Sequence, residues 1–252
     1  MTEKPILQQL SIGSWIQLGH PAVAEIMASA GFDWLAIDLE HSTITLREAE
    51  DLIRVIDLKG VVPLVRLASN NAEQIKRIMD AGAHGVIVPM VNNADQAAQA
   101  VAAVKYPPFG TRSFGLARAQ GYGTSFEKYQ QWQRENSIVV VQIEHIEAVE
   151  NLAQILKVPG VDAYFVGPYD LSGSLGIPGQ FDHPDFLQAM QKIKRVGAKS
   201  GKPGGRHIIE PDPSLLEAAI REGDQFIAYS LDIRMLDKCS REISSLIDRG
   251  QS

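Results

Sequence analysis

Residues 138–170 read IVVVQIEHIEAVENLAQILKVPGVDAYFVGPYD, and the whole fold follows from how this stretch is divided. The β-branched run 138–144 predicts a buried strand, 145–156 carries a helical pattern, and 163–168 predicts a second strand. A strand, a helix and a further strand in succession form a parallel βαβ unit. Both strand runs finish toward a carboxylate, Glu144 in the first and Asp170 in the second. Packing gives an apolar strand no reason to end on an acid. An open site for a hard cation such as Mg²⁺ or Mn²⁺, by contrast, needs one or two carboxylates with room for substrate.

The same alternation runs along the chain. Strands are expected at 11–17, 34–40, 61–67, 85–91, 138–144, 163–168, 204–209 and 225–231. Helices are expected at 21–30, 45–58, 71–81, 93–104, 145–156, 183–200, 212–222 and 233–248. Eight such units within 252 residues point to an α/β protein, a closed (β/α)₈ barrel over 1–252 as one domain, in preference to an open doubly wound sheet. Gly31, Gly82 and Gly223 are placed to end helices in the left-handed conformation. Asp33, Asp162 and Asp224, at the bases of strands, are expected to form turns. Two long connections, 105–125 and 169–182, are expected on the face formed by the loops after strands, where barrel enzymes carry their chemistry.

Composition narrows the function. Hydrophobic residues make up 45% and charged residues 21%, as in an ordinary globular protein. No apolar run approaches the roughly 18 residues of a membrane span, and the N-terminus lacks the pattern of a signal peptide, so no membrane association is expected. Cys239 is the only cysteine; this excludes an internal disulfide and a multi-thiolate metal site, and fits a reducing cytoplasm. With a net charge of −6 and no basic block, nucleic acid is not an expected partner.

The rim of such a barrel is where candidate residues gather. The second strand finishes Ile37-Asp38-Leu39-Glu40-His41, which offers His41 as a general acid or base with a carboxylate to orient it. Arg66 closes the third strand as a fixed cation suited to a carboxylate or an enolate oxygen. Arg112 and Arg118, in the long connection, are expected near the same face. Gly167-Pro168 and Leu171-Ser172-Gly173 flank Asp170 and place backbone N–H groups beside it, donors that suit a substrate carboxylate. Strand interiors hold no lysine, which disfavours a Schiff-base aldolase. There is no Gly-x-Ser-x-Gly elbow and no dinucleotide fingerprint, and Gly201-Lys202-Pro203-Gly204-Gly205 lies in the wrong place to cradle a phosphate. His145 and His207 are further candidates to line the mouth.

Together these residues resemble the HpcH/HpaI aldolase/citrate lyase family. The resemblance runs over about residues 8–240, through Ala30-Gly31-Phe32-Asp33-Trp34, Asp38-Leu39-Glu40-His41, Val65-Arg66, Met79-Asp80-Ala81-Gly82, Val88-Pro89-Met90-Val91, Tyr106-Pro107-Pro108-Phe109-Gly110-Thr111-Arg112, Gln142-Ile143-Glu144 and Gly167-Pro168-Tyr169-Asp170-Leu171-Ser172. It implies metal-dependent aldol cleavage and condensation of 4-hydroxy-2-oxo acids, giving pyruvate and an aldehyde. By the resemblance, Glu144 and Asp170 ligate a divalent cation, Mg²⁺ or Mn²⁺ with Co²⁺ as another choice. His41 and Arg66 are catalytic, and Asp38 and Asp80 support the histidine, Asp80 from a neighbouring subunit. Gln142, Gly167, Pro168 and Tyr169 order the substrate, and Arg112 and Arg118 join them as binding residues. The resemblance also implies a hexamer built as a trimer of dimers, with the C-terminal helix exchanged between subunits. Leu39 stands where glycine is frequent and His145 where a small hydroxyl residue is common, so the aldehyde pocket departs from the family pattern. Two other readings of the same features are an acyl-CoA or citryl lyase of the same superfamily and a non-catalytic barrel that binds metal or oxo acids.

Overall fold

The computed structural model describes residues 4–244. Eight strands, β1 (Ser11–Ile16), β2 (Trp34–Asp38), β3 (Val62–Arg66), β4 (Gly85–Val88), β5 (Ile138–Ile143), β6 (Ala163–Val166), β7 (Gly204–Ile208) and β8 (Phe226–Leu231), close into one barrel in chain order. Every neighbouring pair is parallel, and β8 returns to β1. All eight expected strands are present; the first seven stop one to three residues early, where the polar rim begins, and β8 ends at Leu231 as expected.

Among the described residues ten α-helices surround them: α1 (Pro21–Ala28), α2 (Leu46–Leu58), α3 (Ala72–Ala81), α4 (Ala94–Val104), α5 (Phe126–Asn136), α6 (Ile146–Lys157), α7 (Pro168–Ser174), α8 (Pro184–Ser200), α9 (Pro213–Arg221) and α10 (Asp232–Ser244). The expected end of the last helix, 245–248, lies outside the described residues. Side-chain hydroxyl, amide, imidazole or carboxylate acceptors cap the starts of α1, α2, α3, α4, α6, α8 and α9. Thr45 and Glu48 form a reciprocal capping box on α2, and Asn71, Asn93 and Asp212 cap α3, α4 and α9. Each cap satisfies an N–H that the first turn leaves without a partner.

Two helices were not expected. The α5 sequence, FEKYQQWQREN, buries only Tyr129 and Gln133, so its apolar face is too thin to show as periodicity. The α7 sequence, PYDLSGS, reads as a turn because proline and small polar residues dominate it. The structure also corrects the expectation for 105–125. That connection follows α4, a helix, so it runs beneath the barrel at the N-terminal ends of the strands.

Alternation sorts the strand residues into two cores. One lies between the sheet and the helices; the other fills the barrel with Trp15, Trp34, Leu64, Val140, Phe165 and Phe226. Trp34 stacks on Phe226 at 4.6 Å and meets Trp15 edge-on at 6.3 Å. Gly13 makes room for it, since a Cβ there would lie 2.0 Å from the Trp34 ring. Gly31, Gly82 and Gly223 all adopt positive φ as expected. Asp33 and Asp162 act as ties between strands, not as turn formers: their carboxylates accept the amides of Ile12 (2.7 Å) and Val139 (2.9 Å).

Candidate active site

At the C-terminal ends of the strands the packed interior gives way to a polar layer. Asp38 and Arg66 are register partners on β2 and β3. The guanidinium forks onto the carboxylate, with Nε to Oδ1 at 2.9 Å and Nη2 to Oδ2 at 2.7 Å. Asp38 is fully buried and also accepts Gln17 Nε2 at 2.6 Å and the amides of Glu40 and His41 at 3.0 and 3.2 Å. Burial opposes its charge, but Arg66, Gln17 and the His41 amide together hold its carboxyl below the usual range. Arg66 also lies over the Trp15 ring at 4.5 Å, and its Nη1 is 3.4 Å from Glu40 Oε2.

His41 follows this pair on an exposed bend. The Asp38 carboxylate meets its backbone amide, not its ring, and the ring Nε2 lies 3.8 Å from Glu40 Oε2 with the side chain 61% exposed. The expectation that Asp38 orients the imidazole is corrected accordingly. Within one chain, Asp38 fixes Arg66 and the backbone leading to His41.

Glu144 follows β5 directly and is 3% exposed. Its Oε1 accepts the Met90 amide at 2.6 Å, and its Oε2 accepts Gln142 Nε2. Met90 adopts φ 52°, an uncommon conformation for a side-chain-bearing residue, and its amide serves the carboxylate. Gly167 packs so closely that a Cβ would stand 2.9 Å from Glu144 Oε2. Burial first, and then repulsion from Glu40 and Asp170, push the Glu144 carboxyl up to about 7. Burial likewise raises Glu40 to about 6 against the pull of Arg66, with Asp38 and Asp170 adding to the rise.

Asp170 belongs to the first turn of α7 and is exposed, so the reading of a second strand ending on an acid is corrected. The strand stops at Val166 and Pro168 starts the helix. Glu40, Glu144 and Asp170 still act on one another electrostatically. Among the described residues no three His, Cys, Asp or Glu side chains suffice to hold a metal by themselves. Glu144 has no cationic partner among them either, and Gln142 Oε1 and Glu40 Oε2 are buried without a hydrogen bond. A buried carboxylate in that position calls for a cation, and oxygen donors of this kind fit a hard divalent ion whose remaining positions go to substrate and water.

The other expected site residues lie apart from this cluster. Asp80 is in the last turn of α3, at the opposite end of the barrel, 3.8 Å from Arg112. Arg112 is buried there, stacked on Tyr106 at 4.1 Å with Nη2 donating to Tyr129 Oη at 3.1 Å. Arg118 pairs with Asp57 at 2.7 Å and donates to the Ala81 carbonyl at 3.2 Å. The expectation that both arginines share the face of the strand ends is corrected, because their segment joins a helix to a strand. Tyr169 is exposed beside Pro168, edge-on to Phe181 at 5.0 Å. His145 caps α6, its Nδ1 accepting the Glu147 amide at 3.2 Å. Sequence reading passed over Gln17, Trp15 and the Met90 amide; only the unexplained glutamine just past the first strand signals any of them.

The chain resembles known proteins along most of its length. A family model described as HpcH/HpaI aldolase/citrate lyase matches residues 11–237. A 2-dehydro-3,6-dideoxy-6-sulfogluconate aldolase of Pseudomonas putida is 40% identical, over 94% of this chain and 92% of its own. A hydroxypyruvate/pyruvate aldolase of Sagittula stellata is 39% identical, over 90% and 89%. Among solved structures, an HpcH/HpaI aldolase/citrate lyase family protein from Burkholderia cenocepacia superposes with a TM-score of 0.89 at 32% identity, covering 95% of each chain. The chain therefore belongs to the HpcH/HpaI aldolase/citrate lyase family and is a carbon–carbon lyase.

Proposed function

We propose that this lyase is a divalent-metal-dependent pyruvate aldolase, which cleaves 4-hydroxy-2-oxo acids, the class of 2-keto-3-deoxy sugar acids, to pyruvate and an aldehyde. One observation carries the reading: Glu144 is buried without a cationic partner beside two further carboxylates, at the mouth of the barrel and near the fixed cation Arg66. Glu144 and Asp170 would hold the ion, Mg²⁺ or Mn²⁺, with Co²⁺ as a substitute. When bound, such an ion supplies a Lewis acid for the keto group of pyruvate.

The chain's own groups do the rest. Arg66, clamped by Asp38, presents positive charge where the keto oxygen gains negative charge as the bond breaks. His41 takes the proton of the C4 hydroxyl during cleavage and returns it to the aldehyde oxygen during condensation. Gln142 holds Glu144, and the backbone around Gly167, Pro168 and Tyr169 faces the pyruvate carboxylate. Asp80 would reach His41 only from a second copy of the chain, which fits a hexamer arranged as a trimer of dimers with exchange of α10. Exposed apolar side chains on α1 and α10, Ile26 at 70% and Leu236 at 60%, support such a covered surface. A reducing cytoplasm suits the exposed Cys239. The test is to assay pyruvate release from 4-hydroxy-2-oxo acids by wild type and Asp170→Ala. Release abolished by the substitution is expected, and undiminished release would defeat the reading.

A further inference from the structure

We infer that His207 reads a hydroxyl on the carbon next to the bond that the enzyme forms or breaks, so that substrates hydroxylated there are preferred. This rests on the aldolase reading above. Arg206, the neighbour of His207 on β7, points outward to Glu222 (2.7 Å) and Asp224 (2.6 Å), so alternation turns His207 inward. Val166 pairs with Arg206, which sets His207 level with Gly167 at the mouth. Its ring lies 5.7 Å from Trp15, the residue that Arg66 covers at 4.5 Å. Strand β7 stands across the eight-stranded ring from β3, so His207 approaches the polar layer from the side opposite Arg66.

Its hydrogen bonding is half complete. Nε2 lies 3.2 Å from the Ser230 carbonyl. A carbonyl only accepts, so Nε2 carries the proton and Nδ1 of the neutral ring holds a lone pair. No donor from the described residues meets Nδ1. Burial first, and then the nearby charge of Arg66, keep the ring neutral by lowering its pKa to about 4, although the Ser230 carbonyl opposes this. His207 is half-buried, so Nδ1 meets solvent in the free protein, and a ligand hydroxyl donating to it takes the place of water.

The backbone that holds this imidazole is itself unusual. Ser230 is fully buried and adopts φ 56° one residue before the C-terminal end of β8. It is fixed there by Ser14 Oγ donating to its carbonyl at 3.1 Å and by its own Oγ donating to the Ile209 carbonyl at 2.9 Å. Strain of this kind persists where surrounding contacts impose it, commonly at functional sites.

The hydroxyl comes from the aldehyde or from the keto acid, and three reactions of the Mn²⁺-loaded enzyme separate them. Acetaldehyde is compared with glycolaldehyde, each with pyruvate; pyruvate is then compared with hydroxypyruvate, each with acetaldehyde. Both comparisons are made as kcat/KM for wild type, His207→Leu and His207→Asn. In His207→Leu the ratio of hydroxylated to plain substrate is expected to fall by about tenfold or more. His207→Asn, whose amide keeps one donor and one acceptor, is expected to recover much of it. A fall in the aldehyde pair puts the hydroxyl on the aldehyde, and a fall in the donor pair puts it on the keto acid. Unchanged ratios in both pairs overturn the inference. Thermal melting checks that His207→Leu is folded; if it is not, His207→Phe takes its place. Failure of wild type to form any aldol product would instead defeat the aldolase reading.

Discussion

Arg66 is held from three directions, by the fork onto Asp38, by the Trp15 ring beneath it and by Glu40 beside it, so its charge is in place before substrate arrives. Removing it as Arg66→Ala is expected to cost about 2–4 kcal/mol of transition-state stabilisation, by analogy with the loss of an oxyanion donor. Comparison of kcat/KM with wild type measures this; normal turnover would remove the assigned role. Glu144 gives a second expectation at this scale. Its folded pKa of about 7 stands above its ordinary 4.5, so folding favours the protonated form. The stabilisation is complete below about pH 4.5 and is lost as pH rises through 7, amounting to about 3 kcal/mol at most. Urea denaturation of metal-free protein should show that loss, and Glu144→Gln should flatten it; an unchanged slope in the variant would contradict the cause given. Glu144, Asp38 and Arg66 were legible in the sequence because a charged group where an apolar run stops has few packing explanations. The Met90 amide was not, since no side chain announces a backbone N–H turned by a positive φ.

Elements set how closely these groups approach. The start of α7 brings Gly167 against Glu144 with no space for a Cβ. Gly167→Ala should therefore displace the carboxylate and weaken Mn²⁺ binding by about 10- to 100-fold, as loss of a supporting contact does. Calorimetric titration with Mn²⁺ alone measures it, and unaltered affinity would show that the close approach is unimportant. Inside the barrel, Gly13→Ala drives a methyl into the Trp34 ring and should destabilise the fold by about 1–3 kcal/mol or more. A lowered Tm is the readout. Strands and the long helices were readable because β-branched runs and capped amphipathic segments carry their own periodicity. Helix α5 was hidden by its glutamines and α7 by its proline and serines, and the second omission put Asp170 on a strand that ends four residues earlier.

At the scale of the molecule, eight parallel strands with all C-terminal ends on one face put β2, β3, β5 and β6 around a common mouth. The count of strand–helix units foretold this closure. The same alternation puts 105–125 after a helix and so at the N-terminal face; Arg112 and Arg118 were assigned to the wrong face because the connection was taken to follow a strand. Their true position, with Asp80, leaves the proposed role of Asp80 to contact between copies. Sedimentation analysis is expected to show a hexamer, and a monomer that is fully active would remove Asp80 from the site. The central claim is that the carboxylates at the mouth hold the ion on which cleavage depends. It is tested most directly by following pyruvate release from a 4-hydroxy-2-oxo acid by chelator-stripped protein before and after Mn²⁺ is added back. No release before addition and full release afterwards is the expected result; full release from the stripped protein would contradict the claim.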